Sequence, residues 1–306
     1  SVNINVKLVK LFWKRDEYKM KKIGFIDYFL DEWHANNYPQ WIAENCRDKG
    51  RDMEFAYAFA DIDKPGGLDT DSWCKKFGVE RISSIDELVE KSDYIIVLSP
   101  DNPEHHERLS RVPLMSVKPV YVNKTFSPDL KTGVRIFEHA EKHGTPMFSS
   151  SALRFSKELA EYPNEKVNPG TLEFVATTGP GSFEIYSVHQ LEMIVSLMGP
   201  GVKRIKSLST NNYRTLVMEY PDGRRASLQQ MSQFPFQLTL QLKNGEGRYI
   251  PGCTEFFPRL IDSMLDFFET GKPPVPKEET LTIMALIEAG SKALANDDTW
   301  IDVEKW

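Results

Sequence analysis

Asp27, Phe29 and Glu32 stand at the three places where a dinucleotide-binding turn carries glycine. Residues 22–34 read Lys-Ile-Gly-Phe-Ile-Asp-Tyr-Phe-Leu-Asp-Glu-Trp-His. Residues 23–26 form a buried-strand pattern and a helix pattern starts soon after, so a G-x-G-x-x-G turn belongs between them. Its glycines allow a tight turn, let backbone approach a pyrophosphate, and let helix pack on strand. Here a large aromatic at position 29 would crowd a diphosphate. Asp27 and Glu32 put negative charge where the phosphates should sit. The turn residues Asp27, Tyr28 and Phe29 are therefore candidates for nucleotide contact in a site that is altered or lost.

The elements that must position this turn alternate. Strand-like runs at 21–27, 53–60, 93–98, 119–123 and 146–149 are separated by helix-like runs at 33–49, 71–77, 85–90 and 127–143. Near-continuous apolar strands between helices predict a parallel sheet covered on both faces. After about residue 150 the texture changes. Runs at 167–177, 204–209, 214–220, 225–230 and 237–242 carry Pro221-Asp-Gly223 and Lys243-Asn-Gly245 between or after them, which are hairpin signals. Helix-like segments at 183–198, 256–269 and 278–295 complete the chain. The expected fold class is α/β: an N-terminal Rossmann parallel sheet over 20–148, then a C-terminal α+β domain over 149–306 with a mostly antiparallel open sheet. Residues 1–19 read either as a tag-like extension before Met20 or as an extra edge strand over 2–9.

Bulk properties exclude several classes. With 41% hydrophobic and 27% charged residues, the chain reads as soluble and globular. A net charge of −6 argues against nucleic-acid binding, which needs basic surface. No apolar run approaches the roughly 20 residues that span a membrane, and no signal peptide is visible. Cys46, Cys74 and Cys253 are far apart and fit reduced cytosolic thiols, so a cytoplasmic location is expected. His139 and His143 have metal-ligand spacing, but histidine near a helix end is ordinary dipole complementarity and no metal is expected.

From Met20 onward the order of landmarks resembles the Gfo/Idh/MocA family of NAD(P)-dependent oxidoreductases, which act on sugars, inositols and related polyols. Asp61 closes the second strand, where the family places the residue that meets the adenosine ribose. Ser99-Pro-Asp-Asn102-Pro-Glu-His105 resembles its T-P-N-x-x-H segment. Asn123-Lys124-Thr125 stands at its E-K-P, and 181–199 resembles the stretch with D-x-x-x-H. The resemblance implies NAD or NADP as cofactor, with Asp61, Ser99, Asn102, His105 and Asn123 joining the turn in binding it. It implies Lys124 and His189 as catalytic residues, a carbohydrate-like substrate, and a homodimer or homotetramer formed through the open sheet. The departures are the three lost glycines, Asn123 for Glu, Thr125 for Pro, and Ile185 where an acidic residue precedes the histidine.

Oxidising a secondary alcohol needs a base for the hydroxyl proton and a donor for the developing alkoxide. Lys124 at a parallel strand's carboxyl end is in the usual place for such a group, and His189 is expected to titrate near neutral pH as a base. Ile185, His189 and Glu192 share one helix face. Other readings stay open. Asp61 reads equally as a turn residue, and Lys64 as a 2′-phosphate contact. His105 and His106 read as surface residues opening a helix, with His105 favoured for the cleft. Trp33, Tyr38 and Trp41 read as packing or as a stacking platform. The functional alternative is a non-catalytic ligand-binding or regulatory protein of the same fold.

Overall fold

The computed structural model describes residues 20–306; the expectations for 1–19 fall outside them. The chain order is β1 (Lys21–Asp27), α1 (Trp33–Lys49), β2 (Met53–Ala60), α2 (Thr70–Phe77), β3 (Glu80–Arg81), α3 (Ile85–Lys91), β4 (Tyr94–Val97), α4 (His106–Ser110), β5 (Val120–Val122), α5 (Leu130–His143) and β6 (Met147–Phe148). There follow β7 (Leu172–Gly179), α6 (Phe183–Met198), β8 (Arg204–Ser207), β9 (Arg214–Glu219), β10 (Arg225–Gln230), β11 (Gln237–Leu242), β12 (Gly247–Ile250), α7 (Phe256–Thr270), α8 (Lys277–Ala295) and β13 (Trp300–Asp302).

The first sheet has six strands in the order β3-β2-β1-β4-β5-β6, all parallel. The order reverses between β1 and β4, which opens a crevice at the carboxyl ends of the strands. The buried runs of β1, β4 and β5 are apolar because helices cover both faces. The second sheet has seven strands in the order β12-β11-β7-β10-β9-β8-β13. It is antiparallel except where β10 runs parallel to β7. The Asp222-Gly223 turn joins β9 to β10, and the Asn244-Gly245 turn joins β11 to β12, as their dipeptides predict.

The helices that cover the second sheet also seat the site. α6 and α8 pack together across Gly290, where any side chain would sit inside the ring of the fully buried Phe183. α7 returns to the first sheet. Its Leu260, Ile261, Met264 and Leu265 join Tyr38 and Ile42 of α1 in one core. The buried Arg51 guanidinium clamps this junction, donating to Asp262 (3.0 Å), Asp266 (2.5 Å) and Glu269 (2.5 Å) of α7. Trp41 stacks on Phe257 at 5.3 Å and serves packing, and Tyr38 beside it is fully buried. Pro39 lies inside α1, which continues through it. Among the described residues no helix is long and apolar enough to cross a membrane.

Gly290→Ala tests the α6–α8 contact. Alanine adds about 1 kcal/mol of helix propensity, yet overpacking a closed core costs about 1–3 kcal/mol. Denaturant unfolding should show a net loss of stability, and a gain would mean that Phe183 can yield.

Candidate functional site

β1 ends in a turn that is closed by its own side chains. Asp27 Oδ1 accepts the amide hydrogens of Tyr28 (2.7 Å) and Ser99 (3.0 Å) and the Ser99 hydroxyl (3.1 Å). Ser99 Oγ also accepts the Tyr28 amide at 2.9 Å. Asp27 is fully buried, and its Oδ2 has no partner among the described residues. Burial, and then the neighbouring Glu32, hold its carboxyl well above the usual carboxylate range. No residue of the turn from 27 to 32 has positive φ, so the lost glycines are not missed by the backbone.

Glu32 caps α1. Its Oε2 accepts the His34 amide at 2.8 Å and its Oε1 the Ala35 amide at 2.5 Å. These are orphan donors of the first helical turn, where an anion is most favoured. The rest of the turn is equally engaged. Asp31 accepts from the Leu68 amide and from Asn36. Lys64 donates to the Asp31 carbonyl at 2.5 Å and lies over the Phe29 ring, which occupies it away from any 2′-phosphate.

The cofactor candidates therefore form a knot rather than an open cradle. Tyr28 stacks on His105 at 4.1 Å and leans on Phe29. Asp61, expected at a ribose, is held by both arms of Arg108. Asn102 donates to Glu104. His106 is not a surface residue: it is fully buried, with Nδ1 at 2.9 Å from the Phe126 carbonyl and Nε2 at 2.6 Å from that of Leu98. His139 Nε2 lies 3.0 Å from the Arg111 carbonyl.

Lys124, His189 and Asn123 do come together. They line one cavity of about 390 Å³ with Glu32, His34, Asp101, Ile185 and Tyr186, and with the aromatic walls Trp33, Tyr38, Phe236, Phe256 and Phe257. Lys124 follows β5. Its amide donates to Asn123 Oδ1 at 2.9 Å, and its ammonium makes no ion pair among the described residues. Burial holds its pKa below the ordinary lysine value, against the opposing pull of Asp101 and Glu32. Asn123 Oδ1 also accepts from Tyr121 at 3.1 Å.

His189 differs from expectation. Burial first, then the positive charge of Lys124 and the nearby His34, push its pKa down to about 3, so the ring is neutral at neutral pH. Its Nδ1 lies 2.6 Å from Ser151 Oγ, while Tyr186 and Phe236 meet the ring edge to face. Glu192 stands behind this contact rather than in the cavity. Its Oε1 accepts the Ser151 amide at 3.0 Å and its Oε2 the Arg154 guanidinium at 2.6 Å; Arg154 reaches on to Glu279 at 2.7 Å. Ile185 is exposed at the rim with no charge to offer the imidazole, and Glu184 turns away to Arg214.

The turn as it stands does not fit a dinucleotide's diphosphate. The α1 amides that would hold it are taken by Glu32, and two carboxyl groups lie where its charge would come.

No family model matches this sequence, and no curated protein matches it. Solved structures do match. The myo-inositol dehydrogenase of Lactobacillus casei, in complex with NAD(H) and myo-inositol, is 13% identical with a TM-score of 0.74, over 94% of this chain and 98% of that one. The apo scyllo-inositol dehydrogenase of the same organism is 15% identical, TM-score 0.71, over 94% and 99%. The WlbA dehydrogenase of Bordetella pertussis, with NADH and UDP-GlcNAcA, is 15% identical, TM-score 0.70, over 93% and 99%. The TM-scores show that this chain shares the fold of these dehydrogenases.

His189 makes a pH prediction. When unfolded it takes a proton near 6.5; folded, it refuses one until about 3. The unfolded state binds more protons across that window, so stability falls as pH drops through it. Urea unfolding between about pH 7 and pH 4 should lose stability more steeply in the parent than in His189→Gln, by up to about 1.4 kcal/mol per pH unit. Parallel profiles would show that the folded ring accepts the proton.

Proposed function

We propose that the protein is an oxidoreductase of a sugar, an inositol or a related polyol, held in the cavity beside Lys124 and His189. One observation carries this reading: a lysine that makes no ion pair among the described residues and a neutral histidine line an aromatic-walled cavity at the carboxyl edge of a parallel sheet. That edge is where open α/β folds bind their ligands. The volume falls within the range of small-molecule sites. Trp33, Tyr186, Phe236 and Phe257 offer apolar surface to a sugar ring, while Lys124, Asn123, His34 and Glu32 offer hydroxyl partners.

In this reading Lys124 is the proton-handling group. Its lowered pKa brings the neutral amine closer to working pH, which suits a base. His189, neutral and fixed by Ser151, orients the reacting hydroxyl by hydrogen bonding. NAD or NADP would need the α1 amides that Glu32 holds. A cytoplasmic homodimer or homotetramer joined through the second sheet belongs to the same proposal. The second reading is a protein of this fold that binds its ligand without turnover, and Glu32's place on those amides favours it.

A calorimetric screen of inositols, sugars and sugar derivatives tests both. Binding is expected, weakened at least about tenfold in Lys124→Ala and in His189→Ala, the scale of one hydrogen bond to a charged or buried group. Reduced nicotinamide formed at high NAD or NADP would then favour the oxidoreductase, and binding without it the second reading. No binding across the panel contradicts both.

A further inference from the structure

We infer that the Glu32 carboxylate occupies, from within the chain, the seat that a dinucleotide's diphosphate takes in this fold, and that it thereby sets the chain's affinity for such cofactors. The inference rests on reading the β1–α1 turn as the nucleotide seat of the dehydrogenase fold. In that fold the diphosphate lies at the N-terminus of the helix after the first strand, on free backbone amides.

Three observations converge on Glu32. Both its oxygens are used, one on each of the His34 and Ala35 amides, so the anion that the helix terminus favours is already present. The side chain is only 6% exposed, so it is built into the turn rather than lying loosely on it. The surrounding groups are spent as well: the Tyr28 amide on Asp27 and Ser99, Lys64 on the Asp31 carbonyl, and Asp61 on Arg108. An incoming diphosphate would have to displace a carboxylate that is tethered to the helix, and so competes at high effective concentration. It would also approach Asp27, already crowded by the charge of Glu32.

Replacing Glu32 by Ser removes the charge and the reach while leaving a good helix cap. Glu32→Gln keeps the shape and removes only the charge. Both variants are titrated calorimetrically with NADH and NADPH beside the parent protein, after circular dichroism confirms their helix content. The expected result is weak or undetectable binding by the parent and a gain of at least about tenfold in Glu32→Ser. Glu32→Gln should fall between the two, and it carries the test alone if the serine variant does not fold. Micromolar binding by the parent that is unchanged or weakened in the variants overturns the inference. Absence of binding in all three overturns it too, because Glu32 would then not be what closes the seat. No polyol is needed in this experiment, so failure of the substrate assignment leaves its outcome intact.

Discussion

Two hydrogen bonds from the first turn of α1 to Glu32 decide what the crevice of this protein can hold. A helix N-terminus concentrates unsatisfied amides and positive potential, and something anionic settles there. In this chain the occupant is a side chain of the turn itself. Its position shapes its neighbours: it adds to the burial that holds the Asp27 carboxyl well above the usual carboxylate range, and His34 is brought to the wall of the cavity. The same carboxylate faces Lys124 across that cavity and opposes the lysine's loss of charge. The β1–α1 turn and the cavity beside Lys124 are thereby joined into one electrostatic unit.

The cavity survives although the turn has changed, because different elements build it. Asn123 and Lys124 follow a central strand, His189 sits on α6 of the second half, and α7 folds back to give Phe256 and Phe257. Behind His189 a buried chain of Glu192, Arg154 and Glu279 fixes the Ser151 backbone, and through it the imidazole. Buried ion pairs of this kind contribute little net stability but are costly to break. Their use here is positional.

Much of this was legible in the sequence. Long apolar runs and Gly-containing turns located α1, β2, α6, β10 and β11 to the residue, since burial on both faces or a tight hairpin leaves a plain signature. β3, β12 and β13 are edge strands of two to four residues, too short for any periodicity, and only their pairing partners define them. The missing glycines were visible, but not the fate of the turn. Glutamate is not among the preferred capping residues, so nothing in the pattern announced that Glu32 would bend back onto its own helix. Lys124, Asn123 and His189 were identified by the order of landmarks and do share a cavity. His34, Tyr186, Phe236 and Phe257 were not singled out, because long-range packing alone brings them there. Asp61 follows the second strand as expected but is engaged by Arg108, and His105, favoured for the cleft, stacks on Tyr28 outside the cavity lining. The sequence predicts His189 as a neutral-pH base, and burial beside a lysine overrides that propensity.

The central claim is that the α1 amides belong to Glu32. A crystal structure of the parent protein grown with NADH only slightly above the protein concentration examines those amides directly. The account predicts the Glu32 carboxylate on the His34 and Ala35 amide hydrogens, with no phosphate beside them. Diphosphate oxygens on those two amides, with Glu32 swung into solvent, would contradict it.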